Sequence, residues 1–184
     1  MTDPGPEVGA FAVVRTGTAW STQAIRRAQW AADALQGRWH HGLPPWDHVV
    51  VVSSVTPFLV VEAVPNGARE VRWNYQRNPH LWSTGRVKTS PDAALAARRY
   101  ADAHIGYAWE DYAAIALHAL RIPAPGLRAY IRSTGHMICS QLVDRCELDA
   151  GVHLFSDGRW EGYATPFDLA DLILAGGTCD LRKR

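Results

Sequence analysis

The sequence predicts an α+β protein, and three observations predict it. Two apolar runs, residues 48–52 and 58–62, are separated only by Ser53-Ser54-Val55-Thr56-Pro57, the pattern of an antiparallel hairpin. Helical patterns come in blocks before and after these strands instead of alternating with them, so a doubly wound parallel sheet is not expected. Residues 138–146, ICSQLVDRC, pass from loop-like sequence into apolar positions at helical spacing, with a cysteine at the boundary.

Taken in order, residues 1–9, MTDPGPEVG, are polar and rich in proline and glycine, and they read as a flexible N-terminal segment. A single catalytic domain is expected over 10–175 and a tail over 176–184. The domain opens with a strand near 10–15 and a helix at about 22–36, for which Ser21 is a cap. The hairpin follows. Residues 64–91 read as a long loop in which only 68–73 suggests another strand, the remainder being an insertion that shapes a substrate groove. A helix near 92–104 starts at Pro91 or Asp92, because proline fits the opening turn and a short acceptor satisfies free N–H groups. Another at 109–120 is closed by Pro123 and Pro125. The cysteine helix runs over about 139–149 until Gly151 stops it, and a closing strand and short helix complete the chain.

Composition narrows the function. At 184 residues and 47% hydrophobic the chain can bury the core of one domain. A formal charge of +1, with no basic run beyond Arg98-Arg99 and residues 182–184, excludes a nucleic-acid binder that works by neutralising phosphates. No apolar stretch approaches the roughly 18–20 residues that span a bilayer, and no signal peptide is seen. The expected location is therefore cytoplasmic as synthesised, with a virion or export by another route as alternatives. Cys139, Cys146 and Cys179 are an odd and widely spaced set, which argues for a reduced chain.

Chemistry concentrates at Cys139. A thiol in the first turn of a helix meets unpaired backbone N–H groups and the positive end of the helix dipole, which favour the anionic, reactive form of such a group. A base is available in the run DHVVVV: a turn centred on Val55 sets His48 opposite Glu62, with Cβ atoms about 4.5–5.5 Å apart on one face. An imidazole that takes a thiol proton needs its other nitrogen held by an acceptor, and a facing carboxylate supplies one. Cys139, His48 and Glu62 thus form a nucleophile, base and orienter. His136, three residues before the cysteine, is the rival base, less well held because it lies in an approach loop. A zinc site drawn from His40, His41, His48 and Cys139 lacks recognised ligand spacing, and neither metal nor organic cofactor is required. Cys146, two turns along the helix, reads as core. Trp20, Trp30 and Trp109 are expected in the core, whereas Trp39, Trp46, Trp73 and Trp82 flank the histidine strand as groove candidates.

These residues resemble the circularly permuted NlpC-like branch of the papain-like cysteine peptidases and amidases. The resemblance spans about residues 10–172. FAVVR at 11–15 is similar to the opening strand, DHVVVV at 47–52 to the histidine strand, VVEA at 60–63 to the strand bearing the third polar residue, and CSQLV at 139–143 to the nucleophile helix. GYAWEDY at 106–112 and TPFDLAD at 165–171 are weaker echoes. The order histidine, acid, cysteine matches the permuted branch, although Asp47 stands where the family often has a small residue. The resemblance implies a papain-like fold with a small antiparallel sheet, flanking helices and the nucleophile at a helix N-terminus. It also implies an acyl-enzyme mechanism in which the Cys139 N–H stabilises the oxyanion, with Tyr107 or an approach-loop residue as second donor. Tyr107, Trp46, Trp82 and His136 are the substrate-contact candidates. The implied substrate is a peptidoglycan peptide, cut by a bacterial or phage enzyme. An acyl-lipid or N-acyl amidase or acyltransferase is the enzymatic alternative, and a non-catalytic papain-fold module of a larger assembly, such as a phage particle, is the non-enzymatic one.

Overall fold

Valine runs build the sheet, because a β-branched side chain with a restricted χ1 packs well on a pleated surface. A computed structural model describes residues 5–17, 45–64, 66–105, 137–156 and 164–177, together with positions 23, 26, 27, 30, 31 and 34. Strands β1 (Phe11–Val14), β2 (His48–Val55), β3 (Phe58–Val64), β4 (Gly67–Arg72) and β5 (His80–Trp82) form one sheet in the order β4-β3-β2-β1-β5. Every pairing in it is antiparallel. Helices α1 (Asp92–Asp102), α2 (Cys139–Asp149) and α3 (Pro166–Leu174) follow. Separate strand and helix blocks make the fold α+β.

The helices cover one face of the sheet. Phe11, Val13, Val49, Val51, Val61 and Ala63 point into a core shared with Ala93, Ala96 and Ala97 of α1, Leu142, Val143 and Cys146 of α2, and Leu169, Leu172 and Ile173 of α3. Alanines on the buried side of α1 let that helix lie close to the strands. Thr165 caps α3: its Oγ1 accepts the Asp168 N–H at 3.1 Å while the Asp168 carboxylate accepts the Thr165 N–H at 2.9 Å, a reciprocal box that starts the helix at Pro166.

The opposite face carries Ala12, Val14, Val50, Val52 and Val60 under an aromatic layer of Trp73, Trp82, Phe58 and Tyr75. That layer corrects the reading of residues 64–91 as a loop with one strand. β4 and β5 are the two edges of the sheet, four strand spacings or about 19 Å apart. The chain from Arg72 to His80 reaches at most roughly 26–29 Å, so the connection crosses the sheet with little slack. It is tied at the far side by Asn78 Nδ2 donating to the Arg15 carbonyl at 2.8 Å and the Arg15 N–H donating to the Pro79 carbonyl at 3.0 Å.

Other expectations divide. Positions 23, 26, 27, 30, 31 and 34 are helical where the first helix is expected, but Trp30 is 37% exposed and not a core residue. The helix expected over 109–120 lies outside the described residues. Residues 150–156 form a turn and irregular chain, with no strand among them, and 157–163 lie outside the described residues.

Candidate active site

Helix α2 brings the thiol. Ile138 is extended (φ −77°, ψ 163°) and has no side-chain acceptor, so the helix lacks an ordinary N-cap. Gln141 supplies the return half of a capping box, its Oε1 accepting the Ile138 N–H at 3.0 Å, and the ladder begins with Leu142 N–H donating to the Ile138 carbonyl at 2.9 Å. The N–H groups of Cys139, Ser140 and Gln141 precede that first bond and have no carbonyl within the helix to bind. Cys139 opens the helix beside these donors and is 4% exposed. This is the placement the sequence predicts.

His48 and Glu62 come together, but through a different register from the one expected. The hairpin closes tightly, Val55 pairing with Phe58 and Ser54 with Leu59. Carried on unbroken, that ladder would set Glu62 against Val51, whose side chain enters the helical core. A bulge between Val52 and Ser54 absorbs one residue, and beyond it Val52 pairs with Val60 and Val50 with Glu62. Glu62 therefore lies diagonal to His48 on its own face instead of directly opposite. The diagonal is short enough: His48 Nε2 is 3.0 Å from Glu62 Oε2. His48 heads β2, so its ring stands at the end of the sheet, where it meets the Cys139 side chain from the helical layer within hydrogen-bonding reach.

Glu62 is 1% exposed and ionised. Burial opposes its charge, but hydrogen bonds from His48, Tyr75 and Arg69 overcome that penalty and hold the carboxyl down at about 2. Oε1 accepts from Arg69 Nε at 2.9 Å and Nη2 at 2.7 Å, and Oε2 accepts from the Tyr75 hydroxyl as well as from His48. A carboxylate has no proton to give, so His48 Nε2 must carry the hydrogen of the shared bond, which leaves Nδ1 for the thiol. Burial also opposes charge on His48, and its bonds to Cys139 and Glu62 outweigh that, pushing the imidazole up to about 10. The site favours an imidazolium bonded to the Glu62 carboxylate.

Comparison of the chain with protein-family models, curated proteins and solved structures found no match. The site therefore rests on its own geometry. Among the other predicted residues, Trp82 is 8% exposed and packs on Trp73 with ring centroids 4.9 Å apart, so both belong to the aromatic layer, a correction to their reading as groove residues. The cause is β5, which turns Trp82 inward. Trp46 is half-buried against the core that contains Cys139. Tyr107, His136, Trp39, His40 and His41 lie outside the described residues. Asp47, the departure before the histidine, is engaged elsewhere: its Oδ1 accepts the Thr16 N–H at 2.8 Å and hydroxyl at 2.7 Å, tying the start of β2 to the end of β1.

Sequence reasoning missed Arg69 and Tyr75. A partial signal for Arg69 existed, since Asn66-Gly67 marks a turn after β3, and in the ladder Val64 pairs with Gly67, which sets Glu62 across from Arg69. Tyr75 had none, because it reaches the site from the edge-to-edge crossover.

Proposed function

We propose that the chain is a cysteine-dependent hydrolase that cleaves an amide bond through an acyl-enzyme on a papain-like scaffold of the permuted kind. The observation that carries this reading is the line Cys139, His48, Glu62, in which a buried and fully hydrogen-bonded carboxylate fixes the imidazole tautomer that faces a thiol at a helix N-terminus.

Each step follows from that line. His48 Nδ1 takes the proton of Cys139, and the thiolate attacks the amide carbonyl carbon. The carbonyl oxygen takes the negative charge, next to the Cys139 N–H, which has no carbonyl partner within the helix. Collapse of the tetrahedral adduct breaks the C–N bond, and His48 Nδ1 delivers its proton to the departing amine, leaving a thioester on Cys139. His48, now neutral, takes a proton from water as the water oxygen attacks the thioester, and the acid product leaves as Sγ departs. Glu62 stays anionic throughout. Resemblance to the permuted NlpC-like enzymes points to a peptide of the bacterial cell wall as the amide, and an acyl-lipid or N-acyl amide is the alternative on the same chemistry.

The test is selective alkylation. Iodoacetamide should label Cys139 rapidly at pH 7, with His48→Ala slowing it. Cys146 should stay inert, because burial and the neighbouring Asp149 and Glu147 push its thiol far above the usual range. Incubation with muropeptides and with N-acyl lipids, read by mass spectrometry, should show turnover of one pool. Cys139→Ala should lower that turnover by about 10³-fold or more with folding intact. Equal turnover by Cys139→Ala would sink the thiol mechanism.

A further inference from the structure

We propose that Tyr75 is a positioning residue: with Arg69 it clamps the Glu62 carboxylate from two sides, so that His48 can only present Nδ1 to Cys139. The inference rests on the hydrolase reading for its purpose, but its geometry stands apart from any reaction.

Glu62 hangs from the middle of β3, and a buried carboxylate with one partner can turn about its last bond and offer either oxygen. Here it cannot turn. Arg69, directly across the ladder in β4, occupies Oε1 with two donors, and the Tyr75 hydroxyl shares Oε2 with His48. The Tyr75 ring also lies against the imidazole, with centroids 5.7 Å apart at 55°, and against Trp73 at 5.3 Å. The same side chain thus limits both the carboxylate and the ring it orients.

Tyr75 is itself fixed by the crossover. Its carbonyl accepts the Asn78 N–H at 3.0 Å, and Gln76 Nε2 donates to the Trp73 carbonyl at 2.8 Å, so the chain on either side is folded into a defined turn. Of the segment 73–79, this one residue turns a polar atom onto the site. Its hydroxyl is held protonated, since burial and the Glu62 charge both push it above the ordinary tyrosine value. A donor that keeps its proton at all working pH values suits a permanent clamp.

The charged and titratable groups that face the pair are Arg69 from β4, Tyr75 from the crossover and Cys139 from α2. Removing the hydroxyl alone takes one donor from the ionised carboxylate and leaves packing unchanged. In Tyr75→Phe the pH at which His48 Nε2 senses protonation of Glu62, read by ¹⁵N NMR of histidine-labelled protein, should rise by about one unit. Alkylation of Cys139 at pH 7 should slow by about tenfold, with the circular dichroism spectrum unchanged. A residue that only fills the aromatic layer would leave both readouts where they are, because phenylalanine keeps the ring, and that result overturns the clamp. The NMR midpoint does not depend on a reactive thiol. Slow alkylation in the unmodified chain would therefore end the hydrolase reading while the midpoint still decides for or against Tyr75.

Discussion

Glu62 carries compensation from two cations when His48 is charged and from one when it is not. In the proposed cycle the imidazole releases and regains its proton, and a buried carboxylate paired with histidine alone would be left uncompensated whenever the imidazole is neutral, at a cost of several kcal/mol. Arg69, 2.7 Å away and partly in solvent, keeps Glu62 paired in both states. Charge and geometry are separable here. Glu62→Gln preserves the shape but places an amide that can donate to Nε2, which would reverse the tautomer and put the hydrogen on the nitrogen facing the thiol. Cys139 alkylation at pH 7 should fall by roughly 10²–10⁴-fold in this variant, and the loss should exceed that of Tyr75→Phe. An unchanged rate would show that the carboxylate does not govern the imidazole. The residues of this site were legible in the sequence as types, a cysteine at a helix start and a histidine in a valine run. Tyr75 was not, because nothing local marks a loop residue whose partner lies across the sheet.

At the scale of the element, a single extra residue decides which face Glu62 occupies. The sequence indicates a hairpin and its approximate turn, yet side chains alternate with period two, so register errors of one and two residues have opposite consequences. The observed pairing differs from the expected one by two positions, which preserves the face and explains why His48 and Glu62 could be joined from the wrong register. Bulges leave no signature in an apolar run and could not be read in advance. This one has a visible support. Arg98 of α1 donates from Nη2 to the Ser53 carbonyl at 2.9 Å, at the residue the ladder skips, and from Nε to Glu70 Oε1 of β4 at 2.8 Å. Arg98→Met keeps the stem and removes both bonds, leaving the Ser53 carbonyl to find water. Urea denaturation should show a loss of about 1–2 kcal/mol, with Cys139 alkylation unaltered because Val50 still opposes Glu62 through core packing. A slowed alkylation would mean that the bulge depends on Arg98 for its position, and an unchanged stability that solvent replaces the arginine in full.

Over the whole molecule, the buried groups Glu62, His48 and Glu147 make stability depend on pH in opposing ways. The α+β class, the central hairpin and the separate blocks of helices follow from patterning. The polar groups that this burial strands do not, since their cost is set by neighbours distant in sequence. Glu62, held near 2 against 4.5 when unfolded, contributes stability above about pH 4.5 that is lost as pH falls toward 2. His48, raised from 6.5 to about 10, contributes below 6.5, and that contribution is lost as pH rises through 10. Glu147 of α2 is 1% exposed: its Oε2 accepts the Ser90 N–H at 3.1 Å and its Oε1 has no partner among the described residues. Burial pushes it up to about 8, with the Asp144 charge adding to that and the Ser90 bond opposing it. The folded chain therefore binds a proton there that the unfolded chain releases near 4.5, so stability declines from pH 4.5 upward until about pH 8. Glu62 is fully favourable only above about pH 4.5, Glu147 only below about pH 4.5 and His48 below about pH 6.5, so Tm should peak near pH 4.5 and decline on either side. Glu147→Gln, a neutral isostere of the protonated acid that retains an acceptor for Ser90, separates the contributions. Its Tm should match the unmodified chain at pH 4.5 and exceed it by several degrees at pH 8, measured by calorimetry across the range. A lower Tm at pH 8 would mean that the fold uses Glu147 as a carboxylate, and the alkaline decline would then belong to His48 alone.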